Sequence, residues 1–218
     1  MTVRTERAAA GTHGTAGTTT ASGSLWDRGH PLGRACAAID DAGERWSATL
    51  RGRRWADVAA SALSNLSDHG VVWVLTAGWA ARRPGLRRRR AVVTLAFAGI
   101  SSYGVNRALK RAAARSRPEV GETTFDPRFV RAPSSSSFPS GHTLASFCTA
   151  VVLPDAIAGR RVALGFATAV AASRVHLRAH HTSDVLAGAV AGAALGAVVR
   201  PLADAVVLRR TPGRWRAE

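Results

Sequence analysis

The sequence has few of the residues that cross-link a fold or bind metals. Its 218 residues include two cysteines, Cys36 and Cys148, which show no metal-ligand spacing and no disulfide framework. Cys148 lies in an apolar stretch and is predicted to be a small core residue. Residues 1–24 lack the apolar core of a secretory signal peptide. They hold almost nothing to bury, so they are predicted to be disordered.

Acidic residues are also scarce. The chain has 14 Asp and Glu against 30 Lys and Arg, which gives a net charge of +16 at neutral pH. Such an excess is typical of nucleic-acid-binding proteins and of membrane proteins with basic loops. The arginines cluster between apolar blocks. This arrangement favours a membrane protein, and we expect no nucleic-acid partner.

Apolar residues are concentrated in five blocks after the first quarter of the chain. The blocks cover about residues 57–81, 91–109, 141–158, 162–174 and 184–208. Spanning a bilayer takes roughly 20 residues, so the fourth block is short and spans only if its polar continuation lies in a cavity or at the interface. Five such blocks, with little sequence left to cover them, predict an all-α, integral-membrane helical bundle.

The remaining segments are divided by composition. Residues 1–33 are predicted to be a disordered tail, and 211–218 a basic C-terminal tail. Residues 34–55 mix charged and apolar residues at roughly helical spacing. They are predicted to form an amphipathic helix on a membrane surface, with a solvated helix as the alternative. The membrane domain is expected over residues 56–210.

Three glycines recur at an interval of four residues in the fifth block. Gly188, Gly192 and Gly196 lie on one face of a helix, where a second helix can approach closely. The spacing predicts a packing seam. The alternative is chance recurrence in a chain rich in alanine and glycine.

The basic segments indicate a topology. Segments 82–90, 159–161 and 209–216 lie on one side if all five blocks span, and the positive-inside tendency makes that side cytoplasmic. The opposite side holds residues 110–142 and 174–184, which are also rich in cations. We interpret this as a separate function for some of those cations.

Three short polar stretches lie on that opposite side. They have the forms K-x6-R-P over residues 110–118, P-S-G-H over 139–142 and S-R-x5-H-x3-D over 173–184. Lys110 and Arg117 are seven residues apart, or two helical turns, so they share one helix face. Any one of these stretches alone is weak evidence, but all three in order are hard to explain as structure alone.

The charges in these stretches predict an anion site. Cations beside membrane spans are costly unless they face water or an anion. Lys110, Arg117 and Arg174 converge from three places, and the planar fork of arginine suits phosphate oxygens. Ser140 and Gly141 precede an apolar helix, and the N–H groups of a helix N-terminus also favour an anion.

Two histidines stand at the mouths of predicted spans. Asp184 follows His180 by four residues and can accept a hydrogen bond from one ring nitrogen, which leaves the other as a nucleophile. His142 can donate a proton to a leaving oxygen. Phosphoryl transfer mainly needs positioning and charge cancellation, which the cations supply without a metal.

Together the three stretches resemble the signature of the type 2 phosphatidic acid phosphatase (PAP2) superfamily, over about residues 56–208. Every fixed position and both internal spacings of that signature are present. The positions that the resemblance assigns to phosphate binding are Lys110, Arg117, Ser140, Gly141 and Arg174. It makes His142 the general acid, His180 the nucleophile and Asp184 the residue that orients and activates the nucleophile.

The resemblance also implies the wider properties of the enzyme. It implies a helical bundle that works without metal or other cofactor, with six spans in the typical membrane form and five or six here. The expected substrate is a lipid phosphate, of the phosphatidic acid or polyprenyl-phosphate type. The expected location is the plasma membrane, with the site on the extracytoplasmic face. The spacing selects His180 over its neighbours His176 and His181, which are expected to line the site.

Two alternatives remain at this point. Vanadium haloperoxidases share the same kind of oxyanion pocket, but they resemble larger soluble domains, and five apolar blocks in 218 residues argue against them. A non-enzymatic basic membrane protein that binds anionic lipids would also fit the charge. The oligomeric state stays open.

Overall fold

The described residues form six helices and no strand. The computed structural model describes residues 24–67, 76, 78, 82, 85–119, 135–153 and 159–209. The helices are α1 (Pro31–Ala48), α2 (Arg54–Ser67), α3 (Gly85–Ala113), α4 (Gly141–Val152), α5 (Arg160–His176) and α6 (Thr182–Arg209). Helix α6 contacts α1, α3, α4 and α5, and α2 packs on α5. The predicted all-α class is confirmed.

Local sequence explains where several helices begin. His30 caps α1, because its side chain accepts a hydrogen bond from the N–H of Leu32, 3.2 Å away, and Pro31 supplies the fixed φ of a first helical residue. Gly85 opens α3 with a φ of 58°, a value that favours glycine. Ser140 precedes α4 in an extended conformation but forms no side-chain cap.

Two predicted boundaries near the N-terminus, and one further along the chain, differ from the structure. The tail predicted over residues 1–33 is shorter, because the indole Nε1 of Trp26 donates to the carbonyl of Ala113 at 2.7 Å. Residues 1–23 lie outside the described residues. The helix expected over 34–55 starts and ends earlier, as α1 over Pro31–Ala48, and a turn separates it from α2, which begins at Arg54. The basic segment 82–90 is not all loop, since α3 starts at its fourth residue.

The predicted glycine seam is confirmed where α6 crosses α4. A Cβ added to Gly188 would lie 2.7 Å from the carbonyl oxygen of Ser140. At Gly192 the same atom would lie 2.2 Å from the carbonyl oxygen of Leu144, which is too close for any side chain. Cys148, the predicted core residue, is fully buried in the same region. The glycines therefore let the two backbones touch.

The number of membrane spans remains a prediction. Among the described residues, Thr182–Val207 is the one stretch long and apolar enough to cross a bilayer, and α4 is a shorter apolar helix. The outer face of α6 exposes large apolar side chains at four positions, Leu186, Val190, Val198 and Leu202. Most of the second half of the first predicted block, including His69, lies outside the described residues.

Gly192→Ala is expected to destabilise the protein. The added methyl group must push α6 away from α4, and overpacking of this kind costs about 1–3 kcal/mol. The measurement is the midpoint of thermal unfolding in detergent. Gly165→Ala is the matched control, because a Cβ there meets nothing within 4 Å, so it should keep or raise the midpoint. Equal midpoints for the two variants would contradict the seam.

Candidate active site

Most of the predicted site residues line one cavity of about 280 Å³. It opens where α3 ends, α4 begins and α5 ends. The predicted residues that line it are Lys110, Arg117, Gly141, His142, Arg174 and His180. Ser140 and Asp184 are fully buried and are not among the lining residues. The structure therefore brings six of the eight predicted residues to one cavity and places the other two beneath it.

The amino end of α4 faces this cavity. The buried hydroxyl of Ser140 accepts a hydrogen bond from Thr143 Oγ1 at 3.0 Å, and its N–H donates to the carbonyl of Asp184 at 3.0 Å. Ser140 thus joins the starts of α4 and α6. A Cβ on Gly141 would lie 2.7 Å from Nδ2 of Asn106, so the Asn106 side chain occupies the space beside this glycine. The helix end provides N–H groups and a positive dipole for an anion.

The serine run before α4 holds two of the cations. Nζ of Lys110 donates to the carbonyl of Ser136 and, at 3.3 Å, to the hydroxyl of Ser135. Nε of Arg117 donates to the carbonyl of Ser135 at 3.3 Å. Both cations are therefore tied to one short segment of backbone.

The third cation, Arg174, comes from α5. Its side chain is buried, and Nη1 donates to the hydroxyl of Ser64 on α2. Burial lowers the pKa of Arg117, because a charge away from water is less well solvated. Three cations at one cavity repel each other, so a bound dianion would stabilise the arrangement.

His180 is buried and presents one ring nitrogen to the cavity. Nδ1 lies 2.8 Å from the carbonyl oxygen of Ser137, and Nε2 lies 3.4 Å from Nη1 of Arg117. A carbonyl can only accept, so Nδ1 carries the proton and Nε2 carries the lone pair. Burial lowers the pKa of His180 to about 4, and the charges of Arg174 and Arg117 contribute in the same direction. The imidazole is therefore neutral at pH 7, with a free lone pair on Nε2.

Asp184 does not orient His180 by the direct hydrogen bond that the spacing predicted. Its nearest carboxylate oxygen is 3.8 Å from Nδ1 of His180, beyond hydrogen-bond distance. Its oxygens instead accept from Nη1 of Arg115 at 2.5 Å, from the Ser137 hydroxyl and from the N–H of His181 at 2.9 Å. The carboxylate thus fixes Ser137, whose carbonyl fixes the histidine.

Arg115 is a site residue that sequence reasoning missed. It is buried, and its Nη2 donates to the carboxylate of Asp40 on α1 at 2.7 Å. Its guanidinium also lies 4.6 Å above the ring of Trp26. Arg115 stands at a variable position between Lys110 and Arg117, in a chain full of exposed arginines, so no sequence feature distinguishes it.

The neighbouring histidines serve other contacts. Nε2 of His176 lies 2.8 Å from a carboxylate oxygen of Asp57 and joins α5 to α2, so the expectation that it lines the site is wrong. His181 lines a neighbouring cavity beside Asp40 and Glu44, which shares His180 with the one above. No group of three His, Cys, Asp or Glu residues within the described ranges is arranged to hold a metal ion.

Several known proteins are similar to this chain in sequence or in fold. A family model described as the PAP2 superfamily matches residues 91–206. The chain belongs to that superfamily. The decaprenylphosphoryl-5-phosphoribose phosphatase of Mycobacterium tuberculosis is 31% identical over 140 residues, which are 64% of this chain and 76% of the relative. The enzyme of that name from Mycolicibacterium smegmatis is 31% identical over 142 residues, 65% and 76% of the two chains.

Two solved structures have the same fold. One is the transmembrane PAP2 type phosphatidylglycerolphosphate phosphatase of Bacillus subtilis, with a TM-score of 0.57 and 23% identity over 83% of this chain and 90% of that one. The other is LpxE of Aquifex aeolicus, with a TM-score of 0.57 and 20% identity over 76% and 92%. As a PAP2 phosphatase, this chain is a phosphoric ester hydrolase.

Arg115→Ala is expected to lower stability strongly. The change leaves the buried carboxylate of Asp184 and the partly buried one of Asp40 without their cation, and breaking a buried pair costs about 3–5 kcal/mol. Arg111→Ala is the control, since Arg111 is exposed in the last turn of α3, and its loss should change stability by less than about 0.5 kcal/mol. Thermal unfolding in detergent measures both. Similar unfolding midpoints for the two variants would show that the ion pairs of Arg115 do not stabilise the fold.

Proposed function

We propose that this chain is a membrane-bound phosphatase that hydrolyses a lipid phosphate through a phosphohistidine on His180. The observation that supports this most strongly is the position of its unprotonated Nε2. That atom faces a cavity which also presents three cations, the amino end of α4 and His142. Nucleophile, anion site and proton donor therefore meet at one place.

The first half of the reaction transfers the phosphoryl group to the enzyme. Lys110, Arg117 and Arg174 hold the non-bridging phosphate oxygens and cancel their charge. Nε2 of His180 attacks phosphorus, and the bond from phosphorus to the leaving oxygen breaks. Protonated His142 gives its proton to that oxygen, so the leaving group departs as an alcohol.

The second half releases inorganic phosphate. The now neutral His142 removes a proton from a water molecule, whose oxygen attacks phosphorus as the P–N bond breaks. The lone pair returns to Nε2 of His180. Nδ1 keeps its proton and donates a hydrogen bond to the carbonyl of Ser137 throughout, which keeps the ring in one orientation.

The position of the site on the fold supports a lipid substrate. The apolar stretch Thr182–Val207 begins beside His180, and its outer face exposes Leu186, Val190 and Val198. With that face in lipid, the cavity lies at the depth of lipid headgroups. The mycobacterial relatives are named for a polyprenyl-linked phosphoribose, and the Bacillus structure for a glycerol-based lipid phosphate. We therefore propose a polyprenyl-type or glycerol-type lipid phosphate.

The charge distribution supports an extracytoplasmic site. The exposed arginines Arg88, Arg89, Arg160, Arg161 and Arg209 lie at the ends of α3, α5 and α6 that are far from the cavity. Arg90 pairs there with Asp204, which joins α3 to α6. By the positive-inside tendency these ends face the cytoplasm, so the cavity faces the other side of the plasma membrane.

His180→Ala should abolish phosphate release. Loss of a nucleophile lowers turnover by roughly 10³- to 10⁶-fold, because little besides positioning remains. His181→Ala is the control, since that histidine lies outside the cavity and should keep activity near that of the parent. The measurement is release of inorganic phosphate from lipid phosphates in detergent. Equal rates for the parent and His180→Ala would rule out the phosphohistidine.

Chelation of divalent metals should leave the rate unchanged. Charge cancellation comes from the three cationic side chains, so no metal ion is required in the mechanism. The assay compares the purified enzyme with and without EDTA, and calcium-saturated EDTA controls for effects on the lipid. Loss of activity in EDTA that a divalent metal restores would contradict this mechanism.

A further inference from the structure

Two polar side chains of the cavity have no role in the mechanism above and carry a side-chain oxygen without a hydrogen-bond partner. Asn106 lies on α3 and Ser146 on α4, and both line the cavity. Ser146 is only 3% exposed. Within the part of the chain that the structure describes, Oδ1 of Asn106 and Oγ of Ser146 are buried without a hydrogen-bond partner. Buried polar atoms are normally paired, so this pair needs an explanation.

Their positions follow the direction of the leaving group. Asn106 precedes Lys110 by one helical turn, and its amide packs against Gly141. Ser146 follows His142 by one turn on the same face of α4. Since His142 protonates the leaving oxygen, these two side chains lie next to the part of the substrate that departs.

The chemistry of the pair selects a neutral polyol. An amide oxygen accepts, and a serine hydroxyl both donates and accepts, so alcohol groups satisfy both. The second phosphate of a pyrophosphate substrate would place negative charge against the amide oxygen, which would repel it. A bare alkyl chain would leave both atoms unpaired, at a cost of about 1–3 kcal/mol each.

We propose that Asn106 and Ser146 form a leaving-group subsite that hydrogen-bonds hydroxyl groups close to the ester oxygen. The subsite favours substrates whose leaving group is a sugar or a glycerol headgroup. It disfavours a polyprenyl pyrophosphate, which would release a polyprenyl phosphate, and a simple alkyl phosphate, which would release an alcohol without further hydroxyl groups. This inference rests on the proposed function, because it takes the leaving side of the cavity from the role of His142.

The test uses two lipids that differ by one hydroxyl. They are 1-oleoylglycerol 3-phosphate, with a free 2-hydroxyl, and its 2-deoxy analogue, both in the same detergent. The parent should hydrolyse the first with a kcat/KM roughly 3- to 10-fold higher, the worth of one or two net hydrogen bonds. This preference should fall to about unity in Ser146→Ala and in Asn106→Ala.

Ser102→Ala is the matched control. Ser102 is a buried serine on α3, one turn before Asn106, and is not among the residues that line the cavity. This variant should keep the parent's preference. Ser146→Ala removes a single oxygen and is expected to fold, so this variant alone tests the subsite if Asn106→Ala does not fold.

Two results would overturn the subsite. One is a parent that shows no preference for the hydroxyl lipid. The other is retention of the preference in either folded variant. Failure of the proposed function gives a different result, in which the parent releases no more phosphate than His180→Ala from either lipid. That result would contradict the subsite as well, because the subsite rests on the proposed function.

Discussion

The site depends on one buried carboxylate. Asp184 is fully buried, and its two oxygens accept hydrogen bonds from Arg115, from the hydroxyl of Ser137 and from the N–H of His181. A buried charge is tolerated only when its bonds are complete, so the segments after α3, before α4 and before α6 are all held at one point. The carbonyl of Ser137, fixed in this way, holds His180 with its free nitrogen toward the cavity.

The glycine seam is the second constraint, because it sets how closely α4 approaches α6. Contact at Gly188 and Gly192 places the start of α4 directly beside the start of α6, and the N–H of Ser140 then reaches the carbonyl of Asp184. The amino end of α4 is thereby held near His180 and the cations. Backbone packing and electrostatics thus produce the anion site together.

The sequence predicted the parts of the site that side-chain spacing encodes. Lys110 and Arg117 reach the same cavity, but not on one helix face as predicted, because α3 ends at Ala113 and Arg117 lies in the segment after it. The signature spacing from Arg174 and Asp184 selects His180, which lines that cavity. Contacts that involve backbone atoms or distant segments have no such spacing. The role of the Ser137 carbonyl could not be predicted, because every residue has a carbonyl. Arg115 looks like any other arginine until its burial is known, and the turn between α1 and α2 interrupts a continuous amphipathic pattern.

The most direct test of the mechanism is to trap the phosphoenzyme. The purified enzyme is mixed with a lipid phosphate, quenched in alkali within milliseconds and digested, and the phosphorylated peptide is identified by mass spectrometry and phosphorus NMR. The geometry predicts phosphate on His180, attached at Nε2, because Nδ1 is bonded to the Ser137 carbonyl. Phosphate on His142, or on Nδ1 of His180, would contradict the account.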